Sequence, residues 1–235
     1  MKRAREFEGK VVRFEKAIFQ PAGYASPLLS HLVEFDRNNP MMCSKKLKTI
    51  IGYAESIMKG FGITERPKTN ERIKVLFISR RPYVKSGVQH SFMGRQIDNE
   101  DEVLGALQNY VSTGEIHLER IDFAHLTFAQ QIEKVHVSDF LIGMHGAGLT
   151  HSFWLPSEQS AVLELFPHNE GSNWKLFEQI TLWKGNLFEI WTNSYPYMFR
   201  NDEFGDYLNV TVPEFLSSFE KVLRKLQQQR GIRIP

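Results

Sequence analysis

The 235-residue sequence predicts an α/β fold, a parallel sheet with helices on both faces. Three observations lead there. Apolar runs of strand length recur at residues 73–79, 138–144 and 160–166, and such near-continuous hydrophobicity marks strands covered on both sides. Between them lie segments whose apolar residues are spaced three and four apart, the period of an amphipathic helix. At 42% hydrophobic and 24% charged residues, the chain has the composition of an ordinary globular protein with a sizeable core.

The elements follow in order. Residues 11–29 read as a short strand entering Pro/Gly turns. Residues 44–63 carry Leu47, Ile50, Ile51, Ala54, Ile57, Met58 and Phe61 at helical spacing, with Ser44 as N-cap and Gly60 and Gly62 as the stop. The polar stretch 64–72 breaks the pattern and divides the chain into a linking segment, 1–66, and a main domain, 67–235. From there strand and helix alternate. Strands are expected at 73–79, 115–122, 138–144, 160–166 and 187–192. Helices are expected at 99–111, opened by acidic residues, at 127–137, with Thr127 as cap, and as a short turn of helix at 146–155. Two more follow at 172–184 and at 212–230, the last with Pro213 near its first turn.

Several classes are disfavoured at once. A net charge of +2 makes no demand for nucleic acid, and the basic clusters at the two ends read as solvated termini. Cys43 is the only cysteine, so neither a disulfide framework nor a cysteine-rich zinc site forms within the chain. No apolar run approaches the roughly 18 residues of a membrane span, and the first ten residues lack the apolar core of a signal peptide. One short glycosylation sequon, Asn209-Val210-Thr211, is present.

In open parallel sheets ligands bind beyond the carboxyl ends of the strands. The segment His145-Gly146-Ala147-Gly148 sits at such an end, with a helix start behind it. Glycine permits a sharp turn and close approach to backbone amides, and a helix start offers unpaired N–H groups to an anion. The run therefore serves either tight packing, with His145 bonded to a neighbouring carbonyl, or a diphosphate. His151 stands where the third glycine of a dinucleotide fingerprint would fall, which disfavours a nicotinamide-dependent oxidoreductase, and no Walker A Gly-Lys-Ser/Thr occurs.

Residues 144–156, "MHGAGLTHSFWLP", followed by "AVLELFP", closely resemble the signature of glycosyltransferase family 61. "VLFISRR" and "GRQIDNEDEVLGAL" resemble a second family motif, which maps onto Arg80, Arg95, Asn99 and Glu102, and residues 17–28 resemble the segment preceding it. Between the two arginines the insert 81–94 is longer than the family pattern. The resemblance implies a Rossmann-like domain akin to the donor-binding lobe of a GT-B glycosyltransferase, with 67–235 binding a nucleotide sugar and 1–66 a remnant of the other part. It implies inverting transfer of a sugar, N-acetylglucosamine first and xylose as the alternative, from a UDP-sugar. The acceptor would be a Ser/Thr hydroxyl or glycan of a secreted or membrane glycoprotein, EGF-like domains included, in the ER or Golgi lumen. A truncated, non-catalytic nucleotide- or partner-binding module is the rival reading.

On this reading Arg80 and Arg95 reach the diphosphate with paired, charge-assisted bonds, against the alternative of ordinary surface ion pairs. Arg81 is expected at the surface. His145, Gly146, Ala147 and Gly148 would cradle the phosphates, and Thr150 would touch sugar or phosphate, as would His151 unless it packs in the core. Glu164, a carboxylate within an apolar strand, either accepts from ribose hydroxyls or closes a buried network. No Asp-x-Asp motif occurs, so no metal is expected, and no cofactor beyond the UDP-sugar donor. Asp139, at the opposite end of its strand, reads as structural.

Overall fold

A computed structural model describes residues 46–64, 72–85, 88–90, 93–166, 176–192 and 199–232. All of them belong to one compact unit, residues 43–235. The expected strand at 11–29, the Ser44 cap and most of the 64–72 break lie outside the described residues.

The centre is a five-stranded, wholly parallel sheet: β1 (Ile73–Ile78), β5 (Ile116–Ile121), β6 (Phe140–Met144), β7 (Ala161–Phe166) and β8 (Leu187–Thr192). In space the order is β5-β1-β6-β7-β8. Counted within the sheet this is 2-1-3-4-5, so the strand order reverses between β1 and β6. Register is continuous, with Val75 opposite Phe140, Ile78 opposite both Ile121 and Gly143, and Gly143 opposite Glu164. The strand ends at Ile78, Ile121 and Met144 therefore come side by side.

Both faces are covered at the three central strands, which is why β1, β6 and β7 are apolar but for Lys74 and Glu164. Ile73, Val75 and Phe77 pack with Phe140, Ile142 and Leu163 against α2 (Glu100–Ala106) and α6 (Val212–Gln229). The intervening Leu76 and Ile78 pack with Leu141 and Val162 against α1 (Lys48–Gly60), α4 (Phe128–His136) and α5 (Leu176–Trp183). The period-two alternation thus splits one strand between two cores. The share of α1 comes from Ile50, Ala54 and Met58, four residues apart and all buried. The helix stops as expected at Gly62, whose φ of +74° suits a left-handed cap. There Gly62 N–H donates to Lys59 and Ile63 N–H to Met58. Thr127 and Gln130 form the reciprocal cap of α4. The expected helix 99–111 divides at Leu107 into α2 and a short α3 (Gln108–Ser112).

Five of the described strands went unread. The insert after Arg81 folds as an antiparallel hairpin of β2 (Tyr83–Lys85) and β3 (Val88–His90). A second sheet joins β4 (Met93–Ile97), β10 (Gly205–Leu208) and β9 (Phe199–Asp202). It brings residues a hundred positions apart together, a pairing no local pattern announces. Asp139 is structural as expected: its Oδ2 accepts from Lys74 N–H (2.7 Å), and its Oδ1 lies 2.9 Å from Arg230.

Candidate functional site

A cleft of about 300 Å³ opens beyond the carboxyl ends of β5, β1 and β6, where the strand order reverses. Ser79, Arg80 and Arg81 enter it from β1, and Asp122, Phe123 and Ala124 from β5. Met144, Ala147, Gly148 and His151 enter from β6 and the helix after it. A crevice at this position is where open α/β sheets hold their ligands.

The β6 loop is built around Arg80. Its Nη1 donates to the backbone oxygen of His145 (3.1 Å), and its Nη2 contacts Met93 Sδ (3.5 Å). Gly146 has a φ of +144°, and a Cβ placed there would lie 2.4 Å from Arg80 Nη1. Only glycine lets the guanidinium lie across this turn. Gly148 has a packing task as well: a Cβ there would meet Ile78 at 3.3 Å, so its absence seats the following helix on β1. That helix, Ala147–Trp154, is a 3-10 helix beginning at Gly146. Leu149 N–H closes the first turn onto Gly146 O (2.9 Å), so the helix itself leaves the amides of Ala147 and Gly148 for an anion beside Arg80.

Behind the cleft lies a carboxylate that spacing did not reveal. Glu100, in the first turn of α2, is 2% exposed, and both its oxygens accept from Ser79 Oγ (2.8 and 2.9 Å). Arg81 Nη2 donates to it at 3.2 Å, and Arg120 stands 3.5 Å away. Arg81, expected at the surface, does keep its side chain 39% exposed, and it is also held by this buried acid and lines the cleft. The acidic opening of the helix was the only sequence signal of Glu100.

The other expected residues are distributed differently. Arg95 lies in β4 where its pairing with β10 shifts register, and its φ is +60°, a bulge residue outside the cleft lining. Among the described lining residues, the guanidiniums are those of Arg80 and Arg81. Asn99 ties α2 to the end of β10, donating to Val210 O (2.9 Å) and accepting from Val210 N–H (2.8 Å), and it also donates to Glu102 (3.0 Å). Thr150 is exposed on the 3-10 helix, away from the cleft lining. His145 turns its ring from the cleft. Its Nδ1 is hydrogen-bonded to Glu164 Oε1, and Phe166 and Phe177 meet the ring edge-on at 4.7 and 5.3 Å. Glu164 is fully buried, the closed-network alternative, and its Oε2 has no partner among the described residues.

His151 belongs to the cleft wall. Burial pushes its imidazole down to about 4, so it is neutral at pH 7. Its Nδ1 accepts from Trp154 Nε1 (3.2 Å), which leaves the proton on Nε2 as a neutral donor. Phe123 packs on the ring at 4.5 Å.

Among the described residues no group of three or more His, Cys, Asp or Glu is placed to hold a metal ion. Nor is any described helix long and apolar enough to cross a membrane.

The fold and cleft define a Rossmann-like α/β domain with a cationic, glycine-lined crevice at its switch point. Residues 4–163, more than half of the chain, match the family model of glycosyltransferase 61, and the chain belongs to that family. Its relatives include the EGF domain-specific O-linked N-acetylglucosamine transferases of Mus musculus and Drosophila melanogaster. The mouse enzyme is 28% identical over 69% of this chain and 28% of its own length. The fly enzyme is 29% identical over 68% and 27%. A beta-1,2-xylosyltransferase of Oryza sativa subsp. japonica is 27% identical over 63% of this chain and 30% of its own length. The chain thus matches less than a third of the length of each of these relatives.

Proposed function

We propose that this chain is the nucleotide-sugar-binding part of an inverting glycosyltransferase. It would take a UDP-sugar, with UDP-N-acetylglucosamine as donor, and serve transfer to a Ser/Thr hydroxyl of a secretory-pathway protein. The observation that carries this reading is the juxtaposition of Arg80 with the Gly146 turn at the β1/β6 switch point.

The chemistry asks for such a device. As the acceptor oxygen forms its bond to the anomeric carbon, the bond from that carbon to the phosphate oxygen breaks. UDP leaves with the electron pair, and its growing charge must meet fixed positive donors. In this reading Arg80, Arg81 and the amides at the start of the 3-10 helix supply them. The absence of an Asp-x-Asp sequence supports a metal-independent site. The neutral Nε2–H of His151 adds a donor that does not compete with the acceptor for a proton.

The rice relative favours a second donor, UDP-xylose, within the same reading. EGF-like acceptors and a lumenal location extend it from the animal relatives' names. Calorimetric titration with UDP, UDP-N-acetylglucosamine and UDP-xylose tests the proposal. Saturable binding of UDP that weakens at least tenfold in Arg80→Ala is expected. Absence of any UDP binding at millimolar concentration would overturn it, and the ratio of the two sugar affinities decides between the donors.

A further inference from the structure

Glu164 was one of the sequence's candidates for a hydroxyl-binding carboxylate, yet it is sealed at 0% exposure against His145. The cleft nevertheless contains one acid among its described lining residues, Asp122. It directly follows β5, the second strand of the β1–α2–α3–β5 unit. In nucleotide-binding parallel sheets, an acid at the end of the second strand accepts a hydrogen bond from the ribose.

The surroundings of Asp122 suit that task. Its Oδ1 accepts from Ala124 N–H (2.9 Å), which caps the 3-10 turn Phe123–His125 and holds the side chain in one orientation. Near Oδ2 stands the His125 imidazole at 3.7 Å, itself 72% exposed, and that oxygen keeps lone pairs open to a ligand. Several other polar atoms of the described wall are engaged. Ser79 Oγ and Arg81 are held by Glu100, and the Nε2 of Gln131 donates to Phe123 O and Leu126 O. The Nδ1 of His151 is taken by Trp154. Among the described lining residues, Asp122 is the anionic acceptor left at the cleft wall.

Its position relative to the phosphate end also fits. The ends of β5 and β6 flank β1, two strand spacings or about 10 Å apart. One nucleoside diphosphate bridges such a gap, with its phosphates at Arg80 and the Gly146 turn and its ribose toward β5. We infer that Asp122 recognises the ribose hydroxyl edge of the nucleotide. This rests on the nucleotide-sugar reading above, and it makes the cleft selective for ribonucleotides.

The test is a cycle of ligands and variants in calorimetry, with UDP, 2′-deoxy-UDP and 3′-deoxy-UDP as probes. Wild-type protein should bind UDP more tightly than one of the deoxy compounds by roughly ten- to a hundredfold, the worth of a hydrogen bond to a charged group. Asp122→Asn keeps an oxygen for Ala124 N–H and so preserves the turn. It should lose most of that discrimination while binding the matching deoxy compound as the wild type does. Asp122→Ala should show the same loss, and its unfolding midpoint reports any damage to the turn separately. Equal wild-type affinity for all three probes, or undiminished discrimination in Asp122→Asn, overturns the assignment while leaving the nucleotide reading intact. A wild-type protein that binds none of the probes overturns both.

Discussion

The Gly146 turn offers a quantitative test, because a single methyl group collides with a single guanidinium. In Gly146→Ala the new Cβ would stand 2.4 Å from Arg80 Nη1, whereas a relaxed contact is about 3.5 Å. Arg80 must then retreat by about 1 Å, which breaks its bond to His145 O. A φ of +144° in a non-glycine residue costs about 1–3 kcal/mol. The lost charge-assisted bond adds at most about 1–2, since Arg80 is only partly buried. Urea unfolding should therefore show a loss of about 2–5 kcal/mol. In an Arg80→Ala background the collision disappears and only the backbone term remains. The two changes should couple by about 1–2 kcal/mol, well beyond the roughly 0.5 kcal/mol expected of independent sites. Strict additivity in the four-protein cycle would refute the claim that Gly146 exists to admit Arg80.

Three further expectations concern buried polar groups. His151 titrates near 4 in the fold against an ordinary 6.5, so the stability it contributes is complete above about pH 6.5. That stability is lost as pH falls toward 4, when the unfolded chain takes a proton that the folded chain refuses. The loss amounts to about 2–3 kcal/mol, and His151→Gln should flatten the stability profile in that window; an unchanged slope contradicts the assignment. Lys184 is 2% exposed, and burial lowers it to about 8 even though it donates to Phe153 O at 2.8 Å. The folded chain thus binds this proton less readily than the unfolded chain, and stability drains as pH falls from 10.5 to 8. Lys184→Met should gain about 1–2 kcal/mol at pH 7 after the cost of an unpaired carbonyl, and a destabilised variant would refute this. Glu100→Ala should lose about 3 kcal/mol in chemical denaturation by leaving Ser79 and Arg81 without their buried partner, and a loss under 1 kcal/mol would contradict the network.

The sheet was legible because each central strand is apolar on both faces, and because the helix before β6 carries its own cap at Thr127 and the helix before β1 stops at Gly62. The glycine loop was legible for a related reason: a strand end followed by Gly146 and Gly148 announces a turn that must come close to something. What it approaches was not written locally. His145 and Glu164 meet because β6 and β7 are parallel neighbours with Gly143 opposite Glu164, a register that periodicity does not encode. Asp122 was passed over because an acid at the end of an alternating strand looks like any solvated loop residue. Its importance comes from β5 lying beside β1 rather than at the far edge. Arg81 and Arg95 divide in the same way, since the burial of Glu100 and the bulge in β4 depend on chain segments far away in sequence.

The most direct measurement of the central claim is amide hydrogen exchange on the wild-type chain with and without saturating UDP. Binding at the switch point predicts slowed exchange in residues 79–81, 122–126 and 144–151, with the largest effect at the start of the 3-10 helix. Saturable UDP binding that leaves all three segments unchanged, or protects only residues elsewhere, would contradict it.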